Sequence, residues 1–159
     1  MPHRVFIGLG ANLDQPSLQL ETALAALARL PSTELVQSSA FYVSFPLGPQ
    51  DQPDYLNAVC ELRTALAPQS LLRALQAIEL QQGRVKKRHW GERVIDLDIL
   101  LYDDLQLQTD KLQIPHPQLH LRDFVLIPLA QIAPTLQIPG LGSLKSLIAT
   151  LQQSYLKPL

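Results

Sequence analysis

The stretch RVIDLDILLYDD, residues 93–104, sets Asp96 and Asp98 two apart in a run of Val, Ile and Leu. A short apolar run bounded by turn-forming residues is a strand buried in a sheet. Side chains alternate along a strand. The run therefore predicts Ile95, Leu97, Ile99 and Leu101 against one layer, and Val94, Asp96, Asp98 and Leu100 against the other. The two carboxylates then share a face with their β-carbons about 7 Å apart, where they repel unless a cation lies between them. Hard oxygen donors at this spacing suit Mg²⁺, which shares its shell with water and phosphate oxygens. A half-exposed face carrying two solvated acids is the plainer alternative.

The residues just upstream bear on that choice. GRVKKRHWGER holds Arg84, Lys86, Lys87, Arg88 and Arg93, five of the chain's 13 Lys and Arg, within ten residues, and Gly83 and Gly91 make it a loop. Alone, such a run is a solvated face. Beside a carboxylate pair it suits a polyphosphate, with Mg²⁺ bridging acids to phosphate and Arg and Lys neutralising the remaining charge. No G-x-x-x-x-G-K-[ST] occurs, which excludes a P-loop enzyme. The GLG of residues 8–10 lacks the rest of a dinucleotide fingerprint and is read as a tight turn that lets a ligand approach the backbone.

The chain's length and composition bound the rest. Its 159 residues suit one domain, residues 1–159, with a sizeable core. With 47% hydrophobic and 17% charged residues it is not a disordered chain. A net charge of −1 argues against binding nucleic acid by bulk charge. One cysteine, Cys60, suits a reducing compartment. The start, MPHRVFIGLGANL, lacks a signal-peptide pattern, and no apolar run approaches the roughly 20 residues of a membrane span. A cytoplasmic protein without membrane contact is expected.

Along the chain, residues 5–8 read as a strand, and a Leu/Ala-rich helix follows from Ser17 with Leu20, Leu24 and Leu27 on one face and Pro31 ending it. A second strand is expected over 35–43, then an irregular proline-rich loop to Tyr55. Residues 57–64 alternate, with Ala58, Cys60 and Leu62 on one side and Asn57, Glu61 and Arg63 on the other. The next helix runs from Pro68 to Gly83 with Leu71, Leu72, Leu75 and Ile78 as its apolar stripe. After the acidic strand, Asp103 and Asp104 suggest a hairpin into 105–107. Residues 119–132 read as a helix bent at Pro128, and 143–152 as a short C-terminal helix. The order β-α-β-β-α-β predicts an α+β sandwich of ferredoxin-like type, with a mostly antiparallel sheet and helices on one face.

At HWGERVIDLDILLYDD the chain resembles the 6-hydroxymethyl-7,8-dihydropterin pyrophosphokinases through the pattern W-G-x-R-x-x-D-L-D-I. GLGANL, FY…PLGPQDQPDYLNA, IELQQGRV and IPHP…RDFVLIPL are similar to further family blocks in the same order, so the likeness spans nearly the whole chain. It implies a ferredoxin-like α/β sandwich that moves a pyrophosphoryl group from ATP to the pterin hydroxymethyl and releases AMP, as a monomer using two Mg²⁺ ions. It implies Asp96 and Asp98 as the metal ligands, and Arg84, Arg93 and Trp90 as further catalytic positions. On the ATP side it implies Gln76, Glu79, Arg84, Lys86, Lys87, Trp90, Arg93, Ile99, Lys111, Gln113, His116 and Arg122. On the pterin side it implies Gly10, Ser44, Phe45, Leu47, Tyr55, Asn57, Trp90, Asp96 and Phe124, with Tyr55 and Phe124 as the stacking pair and Asn57 reading the ring edge.

The sequence departs from the family pattern at His89, where Arg is common, and at Phe45, where proline is common. Lys111 and Gln113 stand where Arg and Thr are usual; Lys keeps the charge and loses bidentate geometry. The basic loop is one residue shorter. Two other classes compete with the pyrophosphokinase reading. One is a D-x-D nucleotidyl- or glycosyl-transferase, for which 159 residues leave little room for separate donor and acceptor domains. The other is a non-catalytic ferredoxin-like binding module, and no RNP-like aromatic pattern supports RNA binding.

Overall fold

A computed structural model of the chain describes residues 2–83 and 94–157. In chain order the elements are β1 (His3–Ala11), α1 (Pro16–Ala28), β2 (Thr33–Ser38), β3 (Tyr42–Ser44), β4 (Tyr55–Thr64), α2 (Pro68–Gln81) and β5 (Asp96–Tyr102). There follow β6 (Leu107–Gln108), β7 (Gln113–Ile114), α3 (Asp123–Ile132), β8 (Gln137–Ile138), β9 (Gly142–Ser143) and α4 (Leu144–Ala149), with a 3-10 turn at Leu119–Leu121. Among the described residues the main sheet is antiparallel with strand order β2-β4-β1-β5, and β3 pairs with the start of β4. Strands β1 to β4 precede α2 and β5 follows it, and β1 lies between β4 and β5, in the ferredoxin-like arrangement anticipated from the sequence.

The sheet is covered on both faces, which corrects the expectation of helices on one. Val5, Ile7 and Leu9 of β1, with Ala58, Cys60 and Leu62 of β4, pack against Leu20, Ala23 and Leu27 of α1 and Leu71, Leu75 and Ile78 of α2. Phe6, Val59, Leu100 and Leu101 pack on the other side against Val125, Leu126 and Leu129 of α3 and Leu144 and Leu147 of α4. The pattern of β4 concealed this layer, because its second face carries the polar Asn57 and Glu61, and both are buried. Glu61 is tolerated there because Arg4 Nε (3.0 Å) and Gln37 Nε2 (2.9 Å) donate to it. Burial pushes its carboxyl up, but these bonds and the Arg4 charge outweigh it and hold the pKa below the usual value.

Other boundaries shift for local reasons. β1 continues through Gly8 and Gly10 to Ala11, so GLG is strand and not turn. The single strand expected over 35–43 breaks into β2 and β3 at buried Ser39, whose N–H donates to Val59 O (2.8 Å) and whose Oγ accepts from Val59 N (3.0 Å). A bulge between Phe6 and Ile7 in the β1–β5 register puts both Leu100 and Leu101 in the second core layer, overturning the strict alternation expected for Leu101. The turn at Asp103 forms, but β6 pairs with β7 and not with β5. Asp103 instead accepts from Arg4 N (2.8 Å) at the start of β1. The helix expected over 119–132 breaks at extended Arg122 (φ −118°, ψ 108°), and Pro128 lies inside α3.

The two-sided core is testable. Leu126 of α3 is fully buried against the sheet, so Leu126→Ala should cost about 2–5 kcal/mol in urea or thermal unfolding. A change within about 0.5 kcal/mol, the range of a surface position, would contradict the second layer.

Candidate active site

The main cleft opens on the β5, β1 and β4 surface beneath the first turn of α3. Its floor follows from register. Asp96 pairs with Gly10 and Asp98 with Gly8, while Gly10 and Gly8 pair on their other side with Asn57 and Val59. Residues paired directly across antiparallel strands point to the same face, so both carboxylates look across a strip of bare backbone toward Asn57. A β-carbon on Gly10 would stand 3.5 Å from Asn57 Oδ1, and one on Gly8 would stand 3.3 Å from Leu100 Cδ2. Side chains at either glycine would narrow the cleft between the acids and Asn57.

Around this floor the fold gathers most of the residues singled out in the sequence. Ser44, Phe45 and Leu47 come from the end of β3 and the loop after it, and Tyr55 and Asn57 from β4. His116, Arg122 and Phe124 come from the segment leading into α3. Asn57 Nδ2 donates to Ser44 Oγ (2.7 Å) and Tyr42 O (3.3 Å), which fixes the amide and leaves Oδ1 over Gly10. Buried Asn12 ties the proline-rich loop to the end of β1, donating to Gln52 Oε1 (3.0 Å) and Pro53 O (2.9 Å).

A second cleft lies on the other side of β5, between Leu72 of α2 and the β6–β7 hairpin. Asp98, Ile99, Lys111, Gln113 and His116 line it. Asp98 and His116 line both clefts, so the two meet there. Ile99 is buried.

At the junction Arg122 and His116 stand as donors beside the two carboxylates. Arg122 is half-buried, with Nη2 donating to Gln118 Oε1 (2.9 Å) and its guanidinium 5.6 Å from the Phe124 ring centroid. Its buried Nε has no hydrogen-bond partner among the described residues. Burial lowers its pKa and the Asp98 and Asp96 carboxylates oppose that, and a guanidinium remains charged throughout the working pH range. Burial, then the Arg122 charge, push His116 down to about 4 against the pull of Asp96. Its Nδ1 accepts from Gln118 N (3.2 Å). A neutral imidazole with Nδ1 accepting carries its proton on Nε2 and is a donor there.

The donor set fits Mg²⁺. Asp96 and Asp98 supply hard carboxylate oxygens from one rigid strand face. Mg²⁺ commonly completes its shell with water and phosphate oxygens beside one or two carboxylates.

Several anticipated residues fall elsewhere. Gln76 is exposed on α2 and lines neither cleft. Glu79, one turn on, is buried, and its Oε2 accepts from Leu97 N (2.8 Å) between the two acids. It satisfies an outer-edge N–H of β5 and so steadies the strand. Arg84, Lys86, Lys87, Arg88, His89, Trp90 and Arg93 lie outside the described residues. Reading GLG as a turn hid the role of Gly8 in the floor, although two glycines at i and i+2 on a strand share one face. Leu100 and Val125 of the cleft wall carry no sequence signal that separates them from core.

The comparisons with known proteins agree on one family. The sequence profile of 7,8-dihydro-6-hydroxymethylpterin-pyrophosphokinase (HPPK) matches residues 6–134. A Haemophilus influenzae protein named 2-amino-4-hydroxy-6-hydroxymethyldihydropteridine pyrophosphokinase is 53% identical over 135 residues, covering 85% of this chain and 84% of that protein. A Pseudomonas aeruginosa protein of the same name is 50% identical over 149 residues, covering 94% and 92%. The crystal structure of wild-type Plasmodium falciparum HPPK-DHPS with pteroate superposes with a TM-score of 0.76 at 12% identity, over 94% of this chain and 42% of that one, and shows the shared fold. With this profile match and relatives half identical across most of their length, the chain belongs to the 7,8-dihydro-6-hydroxymethylpterin-pyrophosphokinase family.

Proposed function

We propose that this chain transfers a pyrophosphoryl group from ATP to the 6-hydroxymethyl group of 6-hydroxymethyl-7,8-dihydropterin, in folate biosynthesis, with the pterin in the main cleft and ATP in the second. The observation that carries the placement is the meeting of the two clefts at Asp98 and His116. A group can pass between ligands only where their sites touch.

In the reaction the hydroxymethyl oxygen bonds to the β-phosphorus of ATP and its proton passes to water. The bond from that phosphorus to the oxygen bridging the α-phosphate breaks, and AMP leaves. Tyr55 and Phe124 hold the flat ring by stacking, and Asn57 Oδ1 accepts from its amino edge. Gly10 and Gly8 leave room for the ring to lie close to β1, while Ser44, Phe45 and Leu47 close the side of the cleft. Asp96 and Asp98 would hold two Mg²⁺ ions, which would supply charge neutralisation to the phosphates. The Arg122 guanidinium and His116 Nε2–H donate to phosphate oxygens at the junction, and Lys111 and Gln113 contact the nucleotide from the hairpin, as does Ile99 through its backbone. Gln76 and Glu79 belong to the ATP side in the family motif; here Glu79 acts through Leu97 N. On the motif alone, Arg84, Lys86, Lys87 and Arg93 grip phosphate and Trp90 closes the site.

Positioning and charge stabilisation supply most of the acceleration in such transfers, without a strong base. A working monomer is proposed on the family resemblance. One buried cysteine, Cys60, with its thiol pushed up to about 12 by burial, suits a reducing cytoplasm. No helix among the described residues is long and apolar enough to cross a membrane.

The direct test is AMP formation from ATP and 6-hydroxymethyl-7,8-dihydropterin, with and without Mg²⁺. Product should require both the pterin and the metal, and Asp96→Ala should lower turnover at least about 100-fold with an unchanged circular dichroism spectrum. Near-normal activity of that variant in limiting Mg²⁺ would remove Asp96 from the metal site. Release of pyrophosphate or a nucleoside diphosphate in place of AMP would favour a D-x-D transferase.

His116 gives a pH signature. Its folded pKa of about 4 lies below the ordinary 6.5, so unfolding takes up a proton between those values. The stability it contributes is present above pH 6.5 and is lost as pH falls toward about 4. The unliganded protein should therefore lose more Tm across that interval than His116→Gln. Parallel Tm curves for the two would contradict the buried neutral imidazole.

A further inference from the structure

The chain's last described residues run along the wall of the main cleft. Phe45 N donates to Tyr155 O (2.7 Å) and Lys157 N to Val43 O (2.9 Å), and Ser44 and Leu156 form an antiparallel bridge. The tail thus adds a short strand beside β3, at the residues that become the cleft's Ser44–Phe45 side. Lys157 Nζ lies 4.9 Å from the Phe45 ring centroid and pairs with Asp54, next to Tyr55. On the opposite side the Tyr155 ring meets Phe124 edge-on, with centroids 5.8 Å apart and planes at 85°. One short segment therefore touches both walls of the pocket. It also lies beyond residues 6–134, the stretch the family profile matches.

Asp123 fixes this segment. Its side chain is buried, and Oδ2 accepts from Ser154 Oγ (3.2 Å), Tyr155 N (3.0 Å) and Leu156 N (3.1 Å). All three donors meet Oδ2, while Oδ1 has no hydrogen-bond partner among the described residues, and hydrogen bonds to a charged acceptor are stronger than neutral ones. Its place in the first turn of α3 adds the favourable end of the helix dipole. Asp123 does not line the cleft itself, but its chain neighbours Arg122 and Phe124 both do.

We infer that Asp123 and residues 154–157 are a positioning device for the pterin. The carboxylate clamps the tail, and the tail sets the orientation of the Phe124 ring and the reach of the Phe45 wall. This rests on the reading of the main cleft as the pterin side. Asp123 and Tyr155 are positioning residues, because neither takes part in the transfer and each acts through Phe124 or Phe45.

The test measures pterin and ATP affinities of the full chain by titration calorimetry, with steady-state kinetics, for Tyr155→Ala, Tyr155→Phe, Asp123→Asn and Tyr55→Ala. An edge-to-face aromatic contact corresponds to about a two- to tenfold change in affinity. Tyr155→Ala should weaken pterin binding by that factor and raise the pterin KM, leaving ATP affinity and kcat near wild type. Tyr155→Phe keeps the ring and should restore pterin affinity, and Asp123→Asn should follow Tyr155→Ala in sign. Unchanged pterin affinity in Tyr155→Ala and Asp123→Asn, while Tyr55→Ala weakens it, would overturn the inference and leave the pterin site standing. Equal losses of pterin and ATP affinity that track a fall in Tm would also overturn it, as a purely structural role. If Tyr55→Ala leaves pterin affinity unchanged, the placement of the pterin fails and the inference with it.

Discussion

The site depends on the pairing of β5 with β1, which sets Asp96 against Gly10 and Asp98 against Gly8. Two acids on a strand face are electrostatically unfavourable by themselves. They become useful because the adjacent strand presents no side chains there, so a ligand can approach both carboxylates and the backbone together. A one-residue slip in this register would turn both acids into the opposite apolar layer. The apolar residues alternating with them, Leu97 and Ile99, are held in that layer by α1 and α2. The same burial that stabilises the fold thereby fixes the direction of the acids.

The second core layer has a matching role. Phe6, Val59, Leu100 and Leu101 anchor α3 over the lower part of the same sheet face whose upper part carries the acids and Asn57. The face is divided along the strands into a packed end and an open end. The bulge at Leu100 strengthens the packed end by turning two successive leucines into it. Glu79 works from beneath, holding the Leu97 N–H that faces away from β1. The positions of Asp96 and Asp98 are in this way braced from both faces of the sheet and from its edge.

Contacts distant in sequence complete the pocket. Asn12 holds the proline-rich loop, Asp123 holds the tail, and the tail holds Phe45 and Phe124. These polar groups are buried, and Asn12 Nδ2 and Asp123 Oδ2 are matched with acceptors and donors. Such groups specify geometry more than they add stability, because an isolated hydrogen bond contributes little net free energy while an unmade one costs more.

The sequence by itself determined the acidic strand, the helices at 16–28 and 68–81, and the membership of the chain in its family, because periodicity, proline and glycine punctuation and short motifs act over a few residues. It also marked Asp96, Asp98, Asn57, Tyr55 and Phe124 as candidates. It could not show that Gly8 and Gly10 form a floor, that Glu79 is buried, or that helices cover both faces of the sheet. Those depend on which residue stands opposite which across β1, β4 and β5, a matter of register and bulges that no local pattern carries. Tertiary structure alone decided that the tail returns to Asp123, since one carboxylate and three donors about thirty residues away become partners only once the sheet and α3 have brought them together.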